Sequence, residues 1–267
     1  MSVKKDGDHV NQSGKTSFMN ELFGFTRTVV KSRYALLTSD GFVPSHLPGW
    51  KNATVIINIS PAMGAQFSQY LVTFGSNSGG EGNTGLFEHF VYVLAGKCSL
   101  NIGGKTISLG AGSYVFIPPS RDFRYSGATK GTKLLFFQKK YELLAGTQKP
   151  EILHGHEKNV LGHPFLGNQN ARLQVLLPDT MAFDLAVNIF TYLPGATLPL
   201  VETHIMEHGL LMLKGQGVYR LGNDWHPVKE GDVIWMAPYC PQWFVAMGES
   251  PASYIYYKNV NRASLSA

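Results

Sequence analysis

Along most of the chain, short apolar runs rich in Val, Ile, Phe and Tyr alternate with Gly, Pro and Asn. Runs at 54–59, 67–74, 90–94, 114–117 and 133–138 are followed by comparable runs at 173–177, 186–193, 210–213, 233–236 and 253–258. Apolar stretches of this length, bounded by turn residues, predict β-strands. No segment carries apolar positions at helical spacing for long enough to predict a long amphipathic helix. The expectation is an all-β fold.

The pattern is also written twice. Residues 88–119 (EHFVYVLAGKCSLNIGGKTISLGAGSYVFIPP) and 207–238 (EHGLLMLKGQGVYRLGNDWHPVKEGDVIWMAP) align without a gap at a shift of 119 residues. The shift pairs Glu88 with Glu207, His89 with His208, Gly96 with Gly215, Gly112 with Gly231 and Pro119 with Pro238. Glycines recur where a hairpin must turn, and the proline recurs past a strand end, where its missing N–H does least damage. Such a repeat predicts two homologous β domains. The expected organisation is a flexible segment over 1–25, a first domain over 26–145, and a linker with the second domain over 146–267, the join lying near 142–165. Closing each unit into a barrel removes exposed sheet edges and leaves an interior that can hold a small ligand.

Composition narrows the possibilities. With 44% hydrophobic and 15% charged residues, the 267-residue chain has the makings of packed cores rather than disorder. The net charge of +5 comes from scattered Lys and Arg that form no basic stripe, which argues against nucleic-acid binding and is compatible with a small anionic substrate. Cys98 and Cys240 make no disulfide framework, and no apolar run approaches 18 residues, so a soluble, cytoplasmic protein without membrane contact is expected.

The most chemically loaded stretch is 202–208, ETHIMEH. Strand alternation places Glu202 and His204 on one face. An unbroken strand would carry His208 roughly 20 Å from Glu202 at ~3.3 Å per residue, so convergence requires a turn between His204 and His208. Gln242, beyond the PYCP segment, is the candidate fourth ligand. A carboxylate, two imidazoles and an amide oxygen form a mixed N/O set without thiolate. Such a set suits Mn(II) or Fe(II) best, with nickel and zinc also compatible. Glu207 has the opposite parity and is expected to make a structural contact. At the same shift, Asn83, Gly85 and Phe123 replace Glu202, His204 and Gln242, so only His89 remains and the first domain is expected to be metal-free.

The combined pattern, PGATLPLVETHIMEHGLLMLKG with GDVIWMAPYCPQW, resembles the cupin superfamily, which implies tandem jelly-roll (double-stranded β-helix) barrels, a bicupin. Three of the four ligand types depart from the usual cupin set. That departure, the text HGLLMLKGQGVYRLGNDWHPVKEGDVIWMAPYCPQW and the ending YIYYKNVNR resemble one bicupin family, the (S)-ureidoglycine aminohydrolases of purine (allantoin) catabolism. The resemblance implies Mn(2+) held by Glu202, His204, His208 and Gln242. It also implies hydrolytic release of ammonia from a small anionic ureido substrate, with Tyr219, Tyr254 and Lys258 binding substrate or assisting catalysis. Tyr254 and Lys258 share strand parity; without the resemblance, Tyr219 reads as a packing aromatic and Lys258 as a surface lysine. Homo-oligomerisation is expected, as in related cupins. Two other readings remain open: an Fe(II)- or Mn(II)-dependent dioxygenase acting on a small polar acid, and a non-enzymatic ligand-binding bicupin.

Overall fold

The computed structural model describes residues 25–263, so the expected flexible segment over 1–25 falls, Phe25 aside, outside the described residues. Each of the ten predicted runs overlaps a strand, and most strands are longer than the run: 67–74 lies within Phe67–Asn83, 90–94 within Phe87–Ala95 and 133–138 within Lys133–Lys140. Further strands, including Lys97–Ile102, Asp122–Ser126, Gln216–Leu221 and Gln242–Met247, alternate buried and more exposed positions. In Lys97–Ile102 and Asp122–Ser126 the inward side chains are apolar and the outward ones polar, so these two strands show no apolar run.

The strands build two curled antiparallel barrels. In the first, the order is Leu153–His156, Ser113–Ile117, Phe87–Ala95, Lys133–Lys140, Phe67–Asn83, Asp122–Ser126, Lys97–Ile102 and Lys105–Gly110, with Trp50–Ile59 also on Phe67–Asn83. In the second, the larger sheet runs Val29–Val30, Tyr34–Leu37, Val233–Met236, His208–Lys214, Ala252–Asn259, Leu185–Tyr192, Asn168–Val175 and His163–Phe165. A separate three-stranded sheet, Asp224–Lys229, Gln216–Leu221 and Gln242–Met247, closes that barrel. The hairpin glycines behave as the repeat predicts. Gly96 (φ 75) and Gly215 (φ 70) are left-handed, and an added Cβ would come within 2.4 Å of Thr132 Oγ1 or 2.7 Å of the Pro251 carbonyl oxygen.

Strand alternation sorts the apolar side chains into three cores. One fills the first barrel around Phe74, Tyr125 and Phe136, and one fills the second around Tyr192, Tyr219, Phe244 and Tyr254. The third lies between the barrels, where Phe67, Phe90 and Phe137 of the first meet Val187, Ile255 and Tyr257 of the second. Phe67 stacks on Tyr257 with centroids 4.1 Å apart. Each fully buried aromatic contributes about 2–3 kcal/mol by area, so this seam is a structural core in its own right.

Strands also cross the seam reciprocally. Tyr34–Leu37, early in the chain, pairs with Val233–Met236 of the second barrel, and Leu153–His156, after the first barrel, pairs back onto Ser113–Ile117. The two exchanged strands begin 119 residues apart, so each repeat lends its first edge strand to the other barrel. The arm ahead of Tyr34 is tied down by Arg27, whose guanidinium makes two hydrogen bonds to the buried Asp232 carboxylate at 2.8 and 2.9 Å. The halves 26–145 and 146–267 describe the order along the chain; strand pairing in space crosses that boundary in both directions.

Candidate metal centre and substrate cavity

The structure supplies the turn that the 202–208 segment requires. In the first barrel the Phe67–Asn83 strand continues without a break, whereas its counterpart ends at Tyr192. The chain then runs irregularly to His208, touching the sheet through isolated bridges that include Glu202 to Gln242. Glu202 and Gln242 exchange backbone hydrogen bonds of 2.9 and 3.0 Å. Tyr239 adopts the left-handed region (φ 60), and its N–H donates to the His204 carbonyl at 2.7 Å. The first barrel uses the same turn, with Ser120 (φ 63) donating to Gly85, but Gly85 has no side chain to present.

Within this frame His204, His208 and Gln242 converge. The imidazole Nε2 atoms lie 3.1 Å apart, and the Gln242 amide nitrogen is 3.2 Å from His204 Nε2. Each histidine Nδ1 faces a backbone carbonyl, Met206 for His204 and Tyr257 for His208, both at 3.2 Å. A carbonyl can only accept, so both Nδ1 atoms carry the proton and both Nε2 atoms offer lone pairs to the same point. Burial, reinforced by the neighbouring His204, depresses the His208 pKa to about 3, and burial also lowers that of His204. Two unprotonated nitrogens facing each other repel unless a cation lies between them. The second half of the Gln242 amide accepts from the Tyr219 hydroxyl at 3.3 Å. A half-turn of that amide would present its oxygen to the same point and its nitrogen to Tyr219.

Glu202 stands on the same rim through its backbone bridge, and burial raises its pKa while the charge of Lys258 opposes the shift. Its carboxylate does not complete a cluster with the imidazoles: among the described residues no group of three or more His, Cys, Asp or Glu side chains is close enough to hold a metal ion. The convergent set is two imidazoles and one amide.

The remaining candidates line the interior behind it. Lys258 pairs across the sheet with His208, and Tyr256 and Tyr254 follow at two-residue steps into the barrel. The Tyr254 hydroxyl meets that of Tyr192 at 3.0 Å, and Tyr219 is almost fully buried with its hydroxyl on Gln242. Glu207 points the other way, as its parity implies, and both its oxygens accept from the Gln66 N–H of the first barrel at 3.1 Å. Sequence reasoning gave no role to Asn188 and Tyr192. The alternation of 188, 190 and 192 along one strand was the available signal. A cavity of about 1190 Å³ between the barrels, lined by Tyr92, Glu157, Leu211 and Lys214 among others, is separate from this centre and includes none of its residues.

Comparison with known proteins places the chain. The cupin domain family matches residues 84–137 and 188–257, one segment in each barrel. The (S)-ureidoglycine aminohydrolase of Arabidopsis thaliana is 36% identical over 263 residues, covering 96% of this chain and 85% of the plant protein. The Escherichia coli (strain K12) protein of the same name is 35% identical, covering 92% of this chain and 96% of that one. The chain belongs to the (S)-ureidoglycine aminohydrolase family. These relatives are hydrolases, and their similarity spans both barrels rather than the second alone. A solved structure described as a putative glyoxylate induced protein from Pseudomonas aeruginosa superposes with a TM-score of 0.84 at 30% identity, covering 92% of this chain and 95% of that chain. No helix among the described residues is long and apolar enough to cross a membrane.

Proposed function

We propose that this protein is a manganese-dependent (S)-ureidoglycine aminohydrolase of purine (allantoin) catabolism. It would convert (S)-ureidoglycine and water to (S)-ureidoglycolate and ammonia. Family membership supports the reaction, and one observation carries the metal requirement: two Nδ1-protonated imidazoles aim their Nε2 lone pairs at one point beside Gln242. With the Gln242 amide turned to present its oxygen and the Glu202 carboxylate swung in from the same rim, these nitrogens would complete a thiolate-free donor set suited to a hard or borderline cation such as Mn(II). When bound, the cation would act as a Lewis acid that anchors the substrate carboxylate or amine.

The chain's own groups would do the rest. Lys258, beside His208, would pair with the substrate carboxylate and fix which face of the central carbon is open. Tyr219 would hold the Gln242 amide, and Tyr254, anchored by Tyr192, would orient the ureido group. The ureido nitrogen can then push out the amine as ammonia, and water adds to the resulting carbon–nitrogen double bond. The buried tyrosine wall around the site limits water to the attacking face.

The test is ammonia release from freshly generated (S)-ureidoglycine in anaerobic buffer, corrected for spontaneous decay, before and after chelation and after adding Mn(II). Stoichiometric ammonia that is lost on chelation and restored by Mn(II) is expected, as is a Lys258→Ala variant that keeps its metal but turns over poorly. Release no faster than the uncatalysed rate would refute the reading, and substrate-dependent oxygen consumption would favour a dioxygenase.

A further inference from the structure

The interior-facing side chains of Leu185–Tyr192 include one group that the proposed chemistry does not use. Asn188 is 2% exposed and lies opposite Tyr256 in the sheet. Its Nδ2 donates to the Tyr256 hydroxyl at 3.1 Å, whereas its Oδ1 is buried with no partner. A buried amide oxygen without a donor is costly to keep unless something supplies one. Tyr256 in turn is edge-on to His208, with ring centroids 5.4 Å apart, so the pair sits beside the candidate metal centre.

The ladder fixes the spacing. Lys258 faces Ala186, and Tyr256 faces Asn188 one step deeper on the same side of the sheet. Two residues along a strand span ~6.6 Å. In a ureido acid, four covalent bonds separate the carboxylate carbon from the terminal ureido nitrogen, about 5 Å when extended. A substrate with its carboxylate at Lys258 therefore reaches Asn188 with its terminal NH2, and the small Ala186 leaves the path open.

The first barrel shows what this slot looks like when closed. By pairing register, Tyr70 opposite Phe136 stands where Asn188 faces Tyr256. Those two rings stack 4.7 Å apart at 6°, and the Tyr70 hydroxyl donates to Gln138, the counterpart of Lys258. One barrel fills the slot with a ring pair, and the other keeps an amide with a free oxygen.

We propose that Asn188 is a specificity-determining residue whose Oδ1 accepts a hydrogen bond from the terminal ureido NH2 of the substrate, its amide being held in place by the Tyr256 hydroxyl. The proposal rests on the aminohydrolase reading for the identity of the substrate, but its test needs no turnover. N-Carbamoylglycine is the substrate without its leaving amine, and N-acetylglycine has a methyl group in place of the terminal NH2.

Calorimetric titration of the metal-loaded protein should show at least tenfold tighter binding of N-carbamoylglycine than of N-acetylglycine. In Asn188→Leu that preference should fall to near one, with metal content and Tm retained. Tyr256→Phe keeps the amide but removes its anchor, so it should show an intermediate preference; it also serves if Asn188→Leu folds poorly. With (S)-ureidoglycine, the loss in Asn188→Leu should appear as a reduced kcat/KM. An unchanged preference and unchanged kcat/KM in Asn188→Leu would overturn the role of Asn188 while leaving the aminohydrolase reading intact. A wild-type protein that releases no ammonia would overturn that reading, and the binding preference would still decide the role of Asn188.

Discussion

The two barrels share strand order, turns and even a left-handed residue at the same loop, yet differ in what their interiors hold. In the first, His89 packs edge-on against Phe123 and Phe136, burial lowers its pKa to about 4, and its Nδ1 has no partner. In the second, His208 has its Nδ1 on a carbonyl and its Nε2 on a second imidazole. The fold delivers a histidine to the same place twice. Only where the neighbouring strand is interrupted, between Tyr192 and His208, does a loop bring further polar groups to meet it. An unbroken strand fills a barrel, and a broken one furnishes it.

This contrast can be broken experimentally, and the largest effect should come from the histidines themselves. His208→Ala should lower ammonia release at least about 100-fold and remove bound metal, because a metal's electrostatic contribution is several kcal/mol. His89→Ala should leave turnover per folded chain near wild type while costing about 2–4 kcal/mol of stability from the cavity created. Metal analysis, activity and urea unfolding on the two variants would distinguish them. Loss of turnover in a folded His89→Ala protein would remove the division of labour.

The seam between the barrels gives the next test, since its halves are matched in position but not in charge. Lys139 is buried and pairs with buried Asp184 at 2.6 Å, whereas its counterpart Asn259 accepts from the Glu207 N–H at 2.7 Å. Lys139→Met leaves a buried carboxylate without its counter-ion and should cost about 3–5 kcal/mol. Asn259→Met leaves one N–H unpaired and should cost about 1–3 kcal/mol. Equal losses in urea unfolding would show that the ionic character of one half does not matter.

The last contrast concerns the two glutamates. Glu207 receives the Gln66 N–H and the Trp235 indole, while Glu88 has Phe116 where Trp235 would be and Asp184 nearby. Burial, reinforced by Asp184 and opposed by Lys139 and Arg262, pushes the Glu88 pKa well above the usual glutamate range. Its folded-state pKa exceeds its unfolded value. Stability from this group is therefore fully present below the unfolded pKa and is lost as pH rises toward the folded one, by up to about 1.4 kcal/mol per pH unit. Glu88→Gln should flatten that decline in urea midpoints measured from pH 5 to 8, with little change at the acidic end. A decline of undiminished slope in the variant would place its origin elsewhere.

Much of this was legible in the sequence for a physical reason: apolar runs and turn glycines are local, so the all-β fold and the repeat follow from spacing. The convergence of His204, His208 and Gln242 was legible too, because alternation and distance demanded a turn there and the chain makes one. Glu202 was less accessible, since parity sets a face but not whether a flexible carboxylate closes on its neighbours. Asn188 carried only a faint signal, a polar residue in a mostly apolar strand, whose meaning depends on Tyr256 across the sheet. The exchanged strands left no signal at all. Tyr34–Leu37 looks like any short apolar run, and nothing local states that its partner lies about 200 residues downstream.

That exchange bears on how the protein comes into being on a ribosome. Tyr34–Leu37 emerges early but has no edge to join until Val233–Met236 has been made, so it must wait through nearly the whole of synthesis. The first barrel, for its part, lacks an edge strand until Leu153–His156 appears. Neither half can finish before the other begins, which gives the chain long-range contacts, slow assembly and a period with an unpaired strand open to wrong partners. Truncation at the midpoint should yield fragments that stick to each other, or to themselves, more readily than they fold.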